Sequence, residues 1–177
     1  MNVYLRAFEI QDYIQINKWR DDDENYKDTL GNKHFVSSER EKKSVESKIA
    51  DNFSSIHLAI CLAANHELIG TLSIVDIDWR NRKACWGGII IGNPEDRKKG
   101  YAYEASQLML KYVFDELGMN RFYGYWHEKY IQSINMGEKL GFKNEGVLRD
   151  YVYKNGAFHN AIIMSILKDD YYSLELK

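Results

Sequence analysis

The chain is poor in residues that break or crosslink structure. It has one proline, Pro94, and 12 glycines among 177 residues, too few for a disordered or low-complexity chain. Its two cysteines, Cys61 and Cys85, stand in apolar strand-like runs without CxxC spacing. They read as buried reduced thiols of a cytoplasmic protein. His34, His57, His66, His127 and His159 are scattered without ligand spacing, so no metal is expected. No apolar run reaches the roughly 18 residues of a membrane span, and the opening Met-Asn-Val-Tyr-Leu-Arg lacks signal-peptide form. No membrane partner is expected. The chain has no excess of one charge either. Lys and Arg number 24 and Asp and Glu 26, a net charge of −2 that does not favour nucleic acid as a partner. Aromatics are plentiful, with 13 Tyr and 4 Trp, and the length suits one domain with a sizeable core.

Val3 to Phe8 reads as a strand. Glu9 to Trp19 follows with a helical pattern through Ile10, Tyr13, Ile14, Ile16 and Trp19. Asp21-Asp22-Asp23-Glu24 is an acidic break. Ser38 and Glu41 stand at capping-box spacing and open a helix expected to reach about Asn52. His57 to Ala63, Leu68 to Asp78 and Ala84 to Ile91 are strands, the first two around an Asn65-His66 turn. A helix begins near Gly100. Its apolar face is Ala102, Ala105, Leu108, Met109, Tyr112, Val113 and Leu117, and Gly118 suits its end. Asn120 to Trp126 is a strand and Ile131 to Leu140 a short helix. Phe142 to Tyr153 and Ala157 to Leu167 flank Asn155-Gly156, a strong hairpin signal. No repeat or linker interrupts the order, so residues 1–177 read as one α+β domain.

The stretch from Ile89 to Ala105 carries the chemistry. An apolar β-branched run stops at Gly92, a turn holds Pro94, and Arg97, Lys98 and Lys99 precede Gly100 and a helix. A strand feeding a cationic turn at a helix N-terminus is an anion site, because free backbone N–H groups and the helix dipole both favour negative charge. Gly100 admits a phosphate without a Cβ in the way, and Ala102 is small for the same reason. The amides from Lys98 through Tyr101 to Ala102 would point at the anion, with Arg97 and a neighbouring lysine pairing to its oxygens. The Walker loop needs Gly-Lys-Ser/Thr and the dinucleotide fingerprint needs Gly-x-Gly-x-x-Gly; neither is present.

Arg97, Gly100 and Ala102 fit the pattern Arg/Gln-x-x-Gly-x-Gly/Ala, and the turn resembles the pyrophosphate-binding loop of the GCN5-related N-acetyltransferases. Three further stretches are similar to the branch that includes ribosomal-protein N-terminal alanine acetyltransferases and spermidine acetyltransferases. They are Gly70 to Asp78 with Asn81 to Ala84, Glu138-Lys139-Leu140-Gly141-Phe142, and Glu145 to Asp150 running through Asn155-Gly156 to Met164-Ser165-Ile166-Leu167. The resemblance covers nearly the whole chain. It implies a mixed, mostly antiparallel twisted sheet with splayed central strands and flanking helices. It implies acetyl-CoA as cosubstrate and direct transfer of acetyl to a primary amine in a ternary complex. The pantetheine arm would lie between Ala84–Gly92 and Asn120–Trp126, bonded by Ile89, Ile90, Ile91 and Gly92, with the Ile91 N–H as candidate oxyanion donor.

The departures concern catalysis. Many relatives carry an Asn where this chain has Tyr130, and a thiolate-protonating Tyr where it has Gly137. A carboxylate often placed in the fourth strand is replaced by the stretch Cys85-Trp86-Gly87-Gly88. Tyr130 and Ser133 are the nearest replacement donors, with Tyr130 favoured for its reach. Asp76, Asp78 and His127 are the candidates for taking the amine's proton. The acceptor is a small-molecule or peptide amine: a polyamine or other small amine, a protein N-terminus or an amino sugar. The acidic break would bias it toward cations. A non-catalytic acyl-CoA-binding regulatory module is the alternative, motivated by Gly137 and Tyr130. The sequence does not fix the oligomeric state, and a homodimer is kept open.

Overall fold

The computed structural model describes residues 1–27, 29–51 and 53–175. The strands are β1 (Val3–Ala7), β2 (Ile56–Leu62), β3 (Leu68–Asp78), β4 (Lys83–Ile91), β5 (Arg121–His127), β6 (Lys143–Lys154) and β7 (Ala157–Leu167). The helices are α1 (Asp12–Trp19), α2 (Glu24–Lys27), α3 (Ser38–Ala50), α4 (Tyr101–Lys111), α5 (Ile131–Lys139) and α6 (Lys168–Glu175). The seven strands form one sheet in the order β1-β2-β3-β4-β5-β7-β6. All neighbours are antiparallel except β4 and β5. This is the mixed, mostly antiparallel α+β sheet expected from the sequence.

The parallel pair is short. Lys83, Ala84 and Cys85 stand opposite Arg121, Phe122 and Tyr123, and pairing stops there. Beyond Cys85 the two strands diverge into a fork. Two bulges bracket the fork base. Gly87 is the extra residue on β4, between the pairs Ser73–Gly88 and Ile74–Trp86. On β3 the extra residue lies between Val75 and Asp78, where Asp76 has φ 50°. Bulges bend strands and re-aim side chains, which is how one sheet can be continuous at Cys85 and open a few residues later. The side chains of Trp86, Phe122, Trp126 and Phe142 pack below the fork, with ring centroids 5.3–6.4 Å apart.

The α4 helix covers this core through Ala105, Met109 and Val113, all fully buried. It then widens into a π-helical turn over Tyr112–Glu116, and Gly118 follows at φ 62°, as the sequence suggested for the helix end. Asn155 and Gly156 both have positive φ, the backbone a two-residue hairpin turn requires.

Three features differ from the sequence reading. The short α2 begins at the last residue of the acidic break, Glu24. The cap of α3 is Ser37, whose Oγ accepts the Arg40 N–H at 3.2 Å, rather than Ser38. No capping box forms, because Glu41 is fully buried and pairs with Arg20. The helix end expected at Asn52 lies outside the described residues. The helix α6 was not anticipated.

Candidate active site

Gly92 ends β4 against α1. A Cβ there would stand 2.0 Å from the Trp19 ring, so only glycine fits. The Trp19 indole N–H donates to Asn93 Oδ1 at 2.9 Å, which Gln15 Nε2 also reaches at 3.0 Å. α1 therefore fixes the start of the loop that leads to α4.

In that loop Lys98 and Gly100 both take left-handed backbone, φ 63° and 86°. Gly100 is the N-cap of α4, with no side-chain cap. The Glu104 N–H already bonds the Gly100 carbonyl at 3.1 Å. The N–H groups of Lys98, Lys99, Gly100, Tyr101, Ala102 and Tyr103 donate to no described residue. Left-handed residues next to a helix start turn successive N–H groups inward as an anion-binding nest, and the dipole of α4 adds to it. Lys98 is exposed and makes no ion pair with a described residue, whereas Lys99 bonds Asp96 at 3.0 Å.

Arg97 differs from its expected role. Its Nη2 donates to Asp22 Oδ2 at 2.6 Å, Asn25 Oδ1 at 2.9 Å and the Gly92 carbonyl at 2.8 Å. Its Nε donates to the Ile91 carbonyl at 3.2 Å. Asp22 is held below the usual carboxylate range, chiefly by this hydrogen bond. The acidic stretch is thus spent on local partners: Asp22 on Arg97, Asp23 on Lys33, Glu24 on Lys27.

The open edge of β4 is selective too. The Gly92 N–H donates to the Ile69 carbonyl at 2.8 Å, toward β3. N–H groups alternate sides along a strand. Ile90 therefore also faces β3, while Ile89 and Ile91 present their N–H groups to the fork. Of the expected backbone partners Ile89, Ile90, Ile91 and Gly92, the N–H groups of Ile89 and Ile91 face the fork, and those of Ile90 and Gly92 face β3.

A cleft of about 500 Å³ opens at the fork. Residues of β3, β4 and β5 line it, together with Asn25, Tyr26, Thr29, Leu30 and Gly31 on one wall and Tyr125, Tyr151 and Ser133. Tyr125 and Tyr151 stack at 5.3 Å, and Tyr123 meets Tyr125 edge-on at 5.9 Å. Burial raises the phenol pKa values of Tyr123, to about 12, and of Tyr125. Asp76 is exposed in the cleft and bonds to no described residue. It carries the only full charge among the described lining residues.

The other two candidate bases are otherwise engaged. Asp78 accepts both the Asn81 N–H at 2.9 Å and the Asn81 Nδ2 at 2.7 Å, and lies outside the cleft lining. His127 lines the cleft, but its Nδ1 accepts the Lys129 N–H at 3.2 Å, which assigns the proton to Nε2. Burial, then His159 and Lys154, lower its pKa. With its lone pair occupied, neutral His127 is a hydrogen-bond donor and not a base.

The two donor candidates also separate. Ser133 lines the cleft, and its hydroxyl bonds to no described residue. Tyr130 does not line it. The Tyr130 ring packs on His127 at 4.3 Å, with Lys154 Nζ 5.7 Å from its centroid. The preference for Tyr130 is therefore reversed in favour of Ser133. Gly137 has a structural reason: a Cβ there would lie 3.1 Å from the Trp126 ring, so the indole holds the space a tyrosine would need. Ser133→Ala is expected to lower kcat roughly tenfold or more, below the usual range for full general acid catalysis, with coenzyme A affinity unchanged. Tyr130→Phe should stay within about threefold of wild type. Steady-state kinetics with calorimetry checks both, and near-wild-type kcat for Ser133→Ala would leave solvent as the proton source.

Comparison with known proteins gives the family and the fold. The model of the acetyltransferase (GNAT) domain matches residues 2–143, so the chain belongs to the GNAT acetyltransferase family. Among relatives, it is 26% identical over 172 residues to the prophage-derived N-acetyltransferase YokL of Bacillus subtilis, covering 96% of this chain and 92% of that one. It is 33% identical over 105 residues to the spermidine N(1)-acetyltransferase of Escherichia coli K12, covering 59% of this chain and 55% of that one. Among other curated relatives the match spans only 56% of the length of YoaA of B. subtilis. Its fold matches the Vibrio cholerae spermidine N-acetyltransferase, solved in complex with CoA and spermine, at TM-score 0.88 and 24% identity, covering 97% and 98% of the two chains. No helix among the described residues is long and apolar enough to cross a membrane.

Proposed function

We infer that the chain transfers acetyl from acetyl-CoA to the primary amine of a small cationic acceptor. The observation that carries this is the continuity of the site. An N–H nest at α4 leads along the open edge of β4 into a cleft whose described lining holds one charge, Asp76, beside stacked tyrosines. A carboxylate next to aromatic faces suits an alkylammonium, by charge and by cation–π attraction. Relatives named for spermidine, and a structural neighbour holding spermine, support an amine acceptor of this kind.

In this reading the diphosphate sits on the N–H groups of residues 98–103, with Lys98 as its mobile counter-charge. The pantetheine bonds the Ile91 N–H. The Ile89 N–H, nearer the fork base, replaces Ile91 as the donor to the oxyanion. The amine enters as its ammonium, since alkylamines have pKa values near ~10. Asp76, directly or through water, takes its proton. The neutral nitrogen then attacks the thioester carbonyl, and as the tetrahedral intermediate collapses its second N–H proton passes through Ser133 Oγ, which donates its own proton to the departing thiolate and regains one from the nitrogen. A thiol pKa near ~8.5 makes this an easy leaving group, so loss of the family's tyrosine is tolerable. Orientation within the ternary complex supplies much of the rate. No covalent acyl-enzyme is needed.

The test is free-thiol release from acetyl-CoA with an amine panel, with product masses. Spermidine and alkyl diamines are expected to react at least about tenfold better, in kcat/KM, than a peptide with an acidic N-terminal segment, from loss of one charge-assisted contact. Tight coenzyme A binding with no thiol release for any amine would instead favour the non-catalytic module.

A further inference from the structure

The Arg97 side chain faces away from the nest and joins two parts of the molecule that the reaction uses separately. Its acceptors also bond the neighbouring backbone. Asp22 Oδ1 accepts the Glu24 N–H at 3.0 Å, and Asn25 Nδ2 donates to the Trp19 carbonyl at 2.9 Å. Asn25 is buried, and from it the chain runs directly along the cleft wall. The far end of that wall is held from the β6–β7 hairpin, where Lys154 Nζ donates to the carbonyls of Tyr26 and of Thr29, the latter at 2.6 Å. One short segment thus touches the anion loop through Asp22 and Asn25 and lines the amine cleft with Asn25, Tyr26, Thr29, Leu30 and Gly31.

We propose that Arg97, Asp22 and Asn25 form a clasp through which coenzyme A and the amine bind with positive cooperativity. This rests on the acetyltransferase reading above. A diphosphate bonded to the amides that follow Arg97 immobilises the peptide on that side, while Gly92 and Trp19 already hold the other. A fixed guanidinium fixes Asp22 and Asn25, and with them the cleft wall. The ligand that binds first bears the cost of ordering this segment, and the second does not. Coupling of this kind is reciprocal. Asp22 bonds Arg97 and the Glu24 N–H and lies outside the cleft lining, so in this reading it is a positioning residue. Its carboxylate is matched to the arginine and not to the substrate.

Hydrogen exchange of the full chain, with and without coenzyme A, tests the clasp without any amine. Coenzyme A is expected to slow exchange in peptides spanning residues 22–31 by at least about fivefold, the lower end of usual coupling factors. Asp22→Asn should lose that slowing while residues 98–103 remain protected, and Asp22→Glu, which retains the charge, should keep most of it. Calorimetry with spermidine should show each ligand tightening the other by the same factor in wild type, and a factor near one in Asp22→Asn. Unchanged exchange in wild type, equal slowing in Asp22→Asn, or tighter coenzyme A binding by Asp22→Asn would each overturn the clasp. The last would show Arg97 released to act as a phosphate ligand. Protection of residues 22–31 without acetylation of any amine would instead retain the clasp and reject the enzymatic reading.

Discussion

Gly100→Glu is expected to abolish useful coenzyme A binding, with affinity falling at least about 100-fold, the loss of one or two charge-assisted hydrogen bonds plus repulsion. Two independent terms act in the same direction. Gly100 has φ 86°, a backbone that L side chains rarely adopt, so any replacement distorts the N-cap of α4 and the N–H groups around it. The introduced carboxylate also stands where the nest and the helix dipole hold the diphosphate. No atom lies within 4 Å of a Cβ built at Gly100, so the damage is to the backbone and the ligand and not to the core. The protein should remain folded by circular dichroism while calorimetry registers the loss. Gly100→Ala separates the terms: it carries the backbone strain without the charge and should lose less. Wild-type affinity in a folded Gly100→Glu protein would move the diphosphate elsewhere.

The loop was legible in the sequence because its chemistry is local. A strand, a cationic turn, a glycine and a helix follow one another within a few residues, and the backbone they impose needs no distant partner. The same holds for the Asn155-Gly156 hairpin and for the buried stripe of α4. Two of the misread residues, Arg97 and Glu41, depend on contacts far along the chain. In the sequence Arg97 reads as a phosphate ligand, because its partner, Asp22, is 75 residues away. Ser38 and Glu41 had capping-box spacing, but Arg20 draws Glu41 under the helix. Tyr130 had reach on paper, but its ring is committed to His127. The bulges at Gly87 and Asp76 leave only weak marks. Gly87-Gly88 is one, visible as a break in an apolar strand, and its meaning appears only when the register to β3 is known. The Tyr125–Tyr151 stack joins a strand to a hairpin arm and had no signal beyond an abundance of tyrosine.

Asp76→Asn is expected to lower kcat/KM for the amine by roughly 10²-fold, the lower end for removal of a general base, while the KM for acetyl-CoA stays unchanged. The substitution keeps the size of the side chain and removes its charge and its ability to hold a proton. Asp76 stands at a bulge with left-handed backbone, a costly placement for most residues that carry a Cβ, and asparagine tolerates that backbone as well as aspartate does. Loss of folding is therefore not the expected route to the defect. The pH profile identifies the role. If Asp76 takes the proton, the variant depends on amine that is already neutral in solution. That fraction rises about tenfold per pH unit up to the amine pKa near ~10, so the deficit should narrow steadily from pH 7 to pH 9.5. If Asp76 only anchors a charged group of the acceptor, the deficit appears in KM and narrows far less over this range, because an ammonium with a pKa near ~10 stays mostly charged up to pH 9.5. Rates measured across that range, at saturating acetyl-CoA, distinguish the two. Wild-type kcat/KM in Asp76→Asn at pH 7 would remove the cleft's only described charge from the reaction and return the choice of base to bulk water.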